Sequence, residues 1–243
     1  MTSQNAMSLP SSRINTLASF IQAETYLEIG VETGLTFRGV SIPKRTGVDP
    51  AFLFDWEEYA ENNDGVSLLN IDSDAFFAGG HAKGSTFDIV FIDGLHHYDQ
   101  AFRDLQNSVQ CGHGKTIYIL DDTCPSDSFS CNRSQEAAVQ LRRRYGNDSR
   151  MDWHGDTYKA IPLLALFMLM FSYLTVAGPF NPQTLVWKSN NPTPANPLCQ
   201  DQALWAVNNL SACDYNWFLE NLSLYNLSSE DDALSAIREW ATS

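Results

Sequence analysis

Short apolar segments alternate with amphipathic ones along roughly the first 120 residues of the chain. The clearest helical pattern is Asp99–Val109, whose apolar residues fall on one side. Five strands are predicted, at Tyr26–Ile29, Lys44–Val48, Val66–Ile71, Phe87–Ile92 and Thr116–Leu120. Because strands that alternate with helices form parallel sheets, the pattern predicts an α/β fold with a doubly wound, mostly parallel sheet and helices on both faces.

A second apolar region, Ile161–Gly178, is about as long as a membrane span requires. Pro162 and several polar residues interrupt this region, which favours a buried location. The region is predicted to divide into the end of a helix, Tyr158–Met168, and a strand, Met170–Val176. Thr184–Lys188 would then return beside that strand as an antiparallel edge strand.

The composition turns to Asn, Pro and Ser between Ser189 and Pro197, which is typical of a linker. Helical patterns follow at Gln202–Leu210 and Asp231–Trp240. Residues 1–188 are therefore predicted to form one domain, and residues 189–243 a linker and a helical C-terminal extension packed on it.

The charge balance limits the classes of partner that the chain is expected to bind. Its 29 acidic and 15 basic residues give a net charge of -14. Such a charge opposes binding to nucleic acid or to an anionic membrane, so a small-molecule substrate is expected. The five cysteines form no metal-binding spacing and are interpreted as free thiols in a reducing compartment. The first twelve residues lack the order of a signal peptide, which favours a cytoplasmic location, and homo-oligomer formation is left open.

A glycine-containing turn follows the first predicted strand and ends in a second helix. Gly30 and Gly34 allow the backbone to come close to a ligand, and Glu28 at the strand end could hold an ammonium group. This turn therefore predicts a binding site for a nucleoside that carries an amino acid rather than for a dinucleotide, whose pyrophosphate Glu28 would repel.

Acidic or hydroxyl side chains stand at the end of every predicted parallel strand. They are Glu28, Asp49, Asp72 or Ser73, Asp93, and Asp121 with Asp122. Ligands of such sheets bind at the carboxyl ends of the strands, so these groups are predicted to converge on one site. Asp49 suits a ribose diol, since a carboxylate can accept from both hydroxyls. The alternative for Asp49 is a turn residue before Pro50.

Several motifs, in order along residues 25–160, resemble the class I S-adenosylmethionine-dependent methyltransferases, which have a Rossmann-like fold. The motifs are Glu28-x-Gly30-x-x-x-Gly34, Gly47-Val48-Asp49-Pro50 and Phe91-Ile92-Asp93-Gly94. Within that superfamily the chain is similar to a group of small bacterial enzymes. The shared segments are Asp72–Phe77, Asp93–Tyr98, Asp122–Pro125 and Trp153–Lys159.

The resemblance implies S-adenosylmethionine as the cofactor and assigns its contacts. Glu28, Gly30 and Gly34 would surround the methionine part, Asp49 the ribose, and Ser73 with Asp74 the adenine side, while Asp93 would lie beneath the sulfonium. In related sugar and catechol-type O-methyltransferases, acids at positions like Asp93, Asp121 and Asp122 bind Mg²⁺. Two departures are Glu32, which replaces the usual middle glycine, and Asp121, which replaces a frequent histidine.

Methyl transfer from a sulfonium requires alignment of donor and acceptor and removal of the acceptor's proton. His96 and His97 follow Asp93 closely, where a general base would act, and His96 is the first choice. Either histidine could instead cap the following helix or pack under the sheet.

Two functions of different class follow from these residues. The first is O-methylation of a small hydroxylated metabolite, a sugar or a phenolic compound, with deprotonation assisted by His96, His97 and Asp93. The alternative is a non-catalytic protein of the same fold that binds S-adenosylmethionine or serves as a scaffold. A nicotinamide oxidoreductase is disfavoured, because Gly30–Gly34 does not supply the Gly-x-Gly-x-x-Gly pattern.

Overall fold

The computed structural model describes residues 8–177, 182–188 and 197–243, although the side chains of residues 197–199 are not described. The strands are β1 Thr25–Ile29, β2 Lys44–Val48, β3 Val66–Leu69, β4 Ile89–Ile92, β5 Ile117–Leu120, β6 Phe171–Val176, β7 Gln183–Lys188 and β8 Leu227–Ser228. The α-helices are α1 Leu9–Ile21, α2 Leu35–Gly39, α3 Trp56–Glu61, α4 Ser73–Ala78, α5 Tyr98–Val109, α6 Gln135–Leu141, α7 Ala160–Phe167, α8 Pro197–Asn208, α9 Tyr215–Glu220 and α10 Glu230–Thr242. A π-helix, Arg142–Gly146, and three short 3-10 turns complete the described elements.

The strands form one mixed sheet in the order β3-β2-β1-β4-β5-β7-β6-β8. β1 pairs in parallel with β2 and β4, and β2 pairs in parallel with β3. β6 and β7 pair antiparallel near one edge, and β8 pairs in parallel with β6. The predicted Rossmann-like α/β fold, mostly parallel with an antiparallel edge, is confirmed.

The chain divides into two compact units. The first contains the described residues up to Gly94, with Asp104–Ile119 and Leu234–Ser243. The second contains Leu95–Arg103 and the described residues of the stretch 120–233. The predicted linker falls mostly on residues 189–196, which lie outside the described residues, as do residues 1–7. The predicted domain boundary at residue 188 stays a prediction.

The first unit is held together by apolar strands and by one carboxylate at the start of β1. The side chains of Leu27, Ile29, Ile89 and Phe91 are buried in the centre of its sheet. Asp88 Oδ2 accepts hydrogen bonds from the backbone N–H groups of residues 24 and 25 and from the hydroxyl of residue 25, at 2.7–2.9 Å. This carboxylate therefore satisfies the N–H groups at the beginning of β1.

The second unit has an aromatic core. The Phe218 ring contacts the rings of Tyr158 and Tyr225 edge to face, with centroid distances of 5.7 and 4.8 Å. Their polar atoms are satisfied, because the Tyr158 hydroxyl donates to the Cys213 carbonyl at 2.5 Å and the Tyr225 hydroxyl donates to the Tyr158 carbonyl at 3.1 Å. Aromatic burial with a bonded hydroxyl gives both hydrophobic stabilisation and orientation.

The apolar region that begins at Ile161 has the predicted helix-then-strand division. α7 buries Ile161, Leu164 and Ala165, and β6 follows after a short turn. Gly178, at the end of the predicted region, lies outside the described residues. Within the described parts of the chain, the helices are all too short or too polar to cross a membrane.

We expect Tyr158→Phe to lower the free energy of unfolding by about 1–3 kcal/mol, because the buried Cys213 carbonyl loses its donor. Urea unfolding followed by circular dichroism would measure the change. Tyr145→Phe is the matched control, since Tyr145 is 66% exposed and its loss should change stability by less than about 0.5 kcal/mol. Equal effects of the two variants would contradict the role given to the Tyr158 hydroxyl.

Candidate active site

The turn after β1 depends on a close backbone approach at Gly30. Gly30 has a φ of 86°, and a Cβ at this position would overlap the backbone carbonyl of Asp93. The Asp93 N–H donates to the Ile29 carbonyl at 2.8 Å, and the Gly30 N–H donates to the Val48 carbonyl at 2.9 Å. Only glycine allows the ends of β1, β2 and β4 to meet so closely.

The position of the missing middle glycine is occupied by Glu32 in a left-handed conformation. Its φ is 47°, a value that non-glycine residues adopt rarely. The Glu32 carbonyl accepts from the Leu53 N–H at 2.8 Å, which helps to hold this conformation. Gly34, with a φ of 72°, follows closely, and a Cβ there would lie 2.9 Å from the Phe54 ring. Glu32 thus adopts the backbone conformation that glycine would adopt at this position of the turn.

Asp49 holds the glycine turn through its side chain. Oδ2 accepts from the N–H groups of Val31 and Glu32, both at 2.8 Å, and Oδ1 accepts from the Ala51 N–H at 2.6 Å. The residue is 7% exposed. A carboxylate offers about four lone-pair sites, so roughly one remains for a ligand hydroxyl.

Glu28 is almost fully buried beside Tyr26, whose hydroxyl donates to Glu28 Oε2 at 2.5 Å. Burial raises the pKa of the Glu28 carboxyl well above its usual range, and the negative charges of Asp93 and Asp49 raise it further. The hydrogen bond from Tyr26 and the charge of Arg45 oppose this rise. The net direction is a raised pKa, so the folded protein keeps this proton to a higher pH than the unfolded chain does.

The residues predicted for the adenine side lie at the start of α4. Asp72 caps this helix, with Oδ1 accepting from the Ala75 N–H at 2.7 Å. Ser73 is buried in the first helical turn, whereas Asp74 beside it is exposed. The predicted cofactor residues thus lie at or just beyond the carboxyl ends of β1 to β4, all in the first unit.

In the second unit, one carboxylate lies between two imidazoles. Asp122 Oδ2 is 2.9 Å from His96 Nδ1, and Asp122 Oδ1 is 3.9 Å from His154 Nε2. Asp122 has a φ of 60° and takes this left-handed conformation directly after β5. His154 Nδ1 is buried and has no hydrogen-bond partner in the part of the chain that the structure describes.

His96 is held by the segment Trp153–Asp156. The Trp153 ring stacks on the imidazole with centroids 4.6 Å apart, and the Trp153 carbonyl oxygen lies 3.2 Å from His96 Nδ1. The Asp156 N–H donates to the His96 carbonyl at 3.1 Å. Gly155 has a φ of 60°, and a Cβ there would overlap the same carbonyl. The sequence motif Trp-x-Gly-Asp therefore fixes both the ring and the backbone of His96.

Asp121 and His97 make other contacts in the second unit. Asp121 is 6% exposed, its Oδ2 accepts from the Gln183 amide at 3.2 Å, and its Oδ1 accepts from the Asp122 N–H at 2.9 Å. His97 Nε2 lies 3.2 Å from the Arg133 carbonyl.

Sequence reasoning missed Trp153 and His154 as residues around His96. Both lie inside the Trp153–Lys159 motif, which was recognised as a motif without a contact being assigned to either residue. Asp156, in the same motif, accepts from the Tyr98 N–H at 3.1 Å and pairs with Arg133 at 3.2 Å. It therefore satisfies an N–H group at the beginning of α5.

No family model and no curated protein matches the chain. Solved structures do resemble it. A protein from Staphylococcus aureus that carries the name caffeoyl-CoA O-methyltransferase has a TM-score of 0.52 at 13% identity, covering 78% of this chain and 85% of that one. A cofactor-bound protein from MTB has a TM-score of 0.51 at 18% identity, covering 76% and 83%. At these identities the likeness concerns the fold alone, which is a Rossmann-like α/β fold.

We expect Gly30→Ala to cost at least about 3 kcal/mol of unfolding free energy, because positive φ and a steric overlap add together. Gly80→Ala is the matched control: its φ is 78°, but no atom lies within 4 Å of the added Cβ, so a loss of about 1–2 kcal/mol is expected. Chemical denaturation of both variants measures the difference. Equal losses would show that the contact with the Asp93 carbonyl has no cost.

The raised pKa of Glu28 predicts a pH-dependent stability. Stability from the neutral carboxyl is fully present below the unfolded pKa, about 4.3, and is lost as the pH rises towards the folded pKa. Glu28→Gln should therefore gain stability relative to the wild type as the pH rises above about 4.3, as measured by urea unfolding. The exposed Glu61→Gln serves as control. Parallel stability curves for wild type and Glu28→Gln would refute the assignment.

Proposed function

We propose that the protein is an S-adenosylmethionine-dependent methyltransferase that methylates a hydroxyl oxygen of a small metabolite, a sugar or a phenolic compound. The observation that carries this proposal is the set of Glu28, Gly30, Asp49 and Asp93 at the carboxyl ends of adjacent strands in a Rossmann-like sheet. The net charge of -14 favours a small acceptor over a nucleic acid. The O-methyltransferase name of the Staphylococcus aureus neighbour supports transfer to oxygen.

Each cofactor group has a chemically suitable partner in the first unit. Gly30 and Gly34 leave space for the methionine part, and Glu28 can ionise to meet its ammonium group. Asp49 keeps an acceptor site for a ribose hydroxyl while its other sites hold the turn. Ser73 and Asp74 would face the adenine side. Asp93 would supply negative charge beneath the sulfonium.

The reaction is a displacement in which the sulfur–methyl bond breaks as the new oxygen–methyl bond forms. The acceptor's hydroxyl proton passes to a base, for which His96 is the first choice and His97 the second. Asp93 is the third residue that we propose to assist deprotonation. The sulfur takes the electron pair of the broken bond and leaves as a neutral thioether.

The predicted Mg²⁺ ligands, Asp93, Asp121 and Asp122, fit the cation unequally. A bound divalent cation would polarise the acceptor hydroxyl. Asp121 already accepts from two N–H groups in a buried position, and Asp122 is paired with an imidazole. The second unit therefore does not present Asp121 and Asp122 as a pair of open carboxylates.

Calorimetric titration with S-adenosylhomocysteine tests the proposal directly. We expect micromolar binding, about -8 kcal/mol, to the wild type, and weaker binding to Asp49→Ala, which also loses stability through three orphaned N–H groups.

His96→Ala should bind the cofactor product as the wild type does but transfer methyl groups at least about 100-fold more slowly to any acceptor found in a screen. His113→Ala, which also removes a histidine 2.9 Å from an aspartate, is the control. Absence of binding would refute the methyltransferase proposal, and unchanged turnover by His96→Ala would refute its role as base.

A further inference from the structure

We propose that Asp122 is a positioning residue that, together with the Trp153 carbonyl, holds the hydrogen on His96 Nδ1, so that the lone pair of the neutral imidazole lies on Nε2. The inference concerns the resting protein, and its use in catalysis rests on the proposed function. It gives Asp122 a role other than the metal ligation that the resemblance implies.

Two oxygen acceptors converge on one ring nitrogen. Asp122 Oδ2 lies 2.9 Å and the Trp153 carbonyl oxygen 3.2 Å from His96 Nδ1. Both distances are within hydrogen-bond range, and neither oxygen can donate a hydrogen when Asp122 is ionised. An unprotonated Nδ1 would turn its lone pair towards both oxygens, which is repulsive. The tautomer with hydrogen on Nδ1 is therefore favoured.

The ring has little freedom to escape this arrangement. Trp153 covers one face of the imidazole, with an interplanar angle of 20°. The segment Trp153–Asp156 also fixes the backbone of His96. The His96 carbonyl accepts from the Asp156 N–H, and it lies so close to Gly155 that there is no room for a side chain there. The side chains of His96 and Asp122 are 22% and 14% exposed, so the ring is held and yet reachable.

The backbone of Asp122 is adapted to this contact. Its φ of 60° is unusual for a residue with a side chain, and Asp and Asn are among the residue types that tolerate it best. The preceding Asp121 supports the turn by accepting from the Asp122 N–H, and Gln183 holds the Asp121 carboxylate in place. Of the two adjacent acids, Asp121 thus stabilises the turn, and Asp122 contacts the His96 imidazole.

A carboxylate orients a histidine base by determining which of the two ring nitrogens carries the hydrogen. A neutral imidazole has one donor nitrogen and one acceptor nitrogen, and only the acceptor can take a substrate proton. When Nδ1 donates to Asp122, the lone pair lies on Nε2, and the cation formed after proton transfer remains paired with the carboxylate. No metal ion is needed for this role.

Nitrogen-resolved nuclear magnetic resonance of the histidine rings tests the inference without an acceptor substrate. The full chain labelled with ¹⁵N would be measured at about pH 8.5 in the presence of a chelator, and the His96 signals would be assigned by their loss in His96→Gln. We expect His96 to carry its hydrogen on Nδ1 in at least about ten-fold excess. A signal from the opposite tautomer, or an even mixture, would overturn the inference.

Asp122→Asn tests the carboxylate itself, since Asn tolerates the same backbone conformation. The Nδ1 hydrogen should exchange with water at least about ten-fold faster in this variant, because the charge-assisted hydrogen bond is lost. Asp148→Asn, the same change at a residue of the second unit whose side chain is 31% exposed and pairs with Arg150, should leave the exchange rate unchanged. Equal rates in wild type and Asp122→Asn would overturn the role of Asp122.

A metal site is the competing outcome, because His96 and Asp122 both offer ligand atoms that suit a cation. Addition of Mg²⁺ or Mn²⁺ after removal of the chelator should leave the His96 spectrum unchanged. A shift with Mg²⁺, or paramagnetic broadening with Mn²⁺, that disappears in Asp122→Asn would overturn the inference in favour of metal binding. Titration of the same samples with S-adenosylhomocysteine tests the proposed function separately, so the two failures can be told apart.

Discussion

The close approach of the backbone at Gly30 is the constraint on which the first unit depends. The end of β1 can meet the end of β4 only because no Cβ lies between Gly30 and the Asp93 carbonyl. Asp49 then stabilises the turn by accepting from N–H groups that would otherwise lack partners. One glycine and one carboxylate together hold the ends of three strands close to one another.

The second unit uses a comparable combination around a different group. Gly155 allows its segment to approach the His96 backbone, and a carboxylate, that of Asp122, meets the imidazole. In both units a glycine allows two backbone segments to come close together, and an aspartate carboxylate accepts a hydrogen bond from a nearby donor. Polar groups are thereby fixed in position without requiring a large local core.

The buried carboxyl groups of Glu28 and Asp49 have different surroundings, although the two side chains are similar. Glu28 is surrounded by protein and by other negative charges, which raise the pKa of its carboxyl, whereas Asp49 accepts hydrogen bonds from the backbone N–H groups of Val31 and Glu32. Under the proposed function, Glu28 would ionise when the ammonium group of the cofactor reaches it.

The sequence by itself determined the sheet and showed that glycines and acids follow the ends of its strands. Apolar runs and turn residues are local signals, and β1, β2, β4 and β5 begin and end within about two residues of their predicted positions. The glycines of the first turn and the acids at the strand ends were found for the same reason. β8, with only two residues, is too short to produce such a pattern.

Only the tertiary structure decided what each acid contacts. Asp121 and Asp122 are adjacent in the chain and alike in chemistry, yet Gln183 engages the first and His96 the second. The partners of His96 come from residues 122 and 153, a separation that periodicity and turn chemistry do not encode. Contacts of this kind are fixed by how distant segments pack, so the sequence identified the reactive groups and the folded chain determined their pairing.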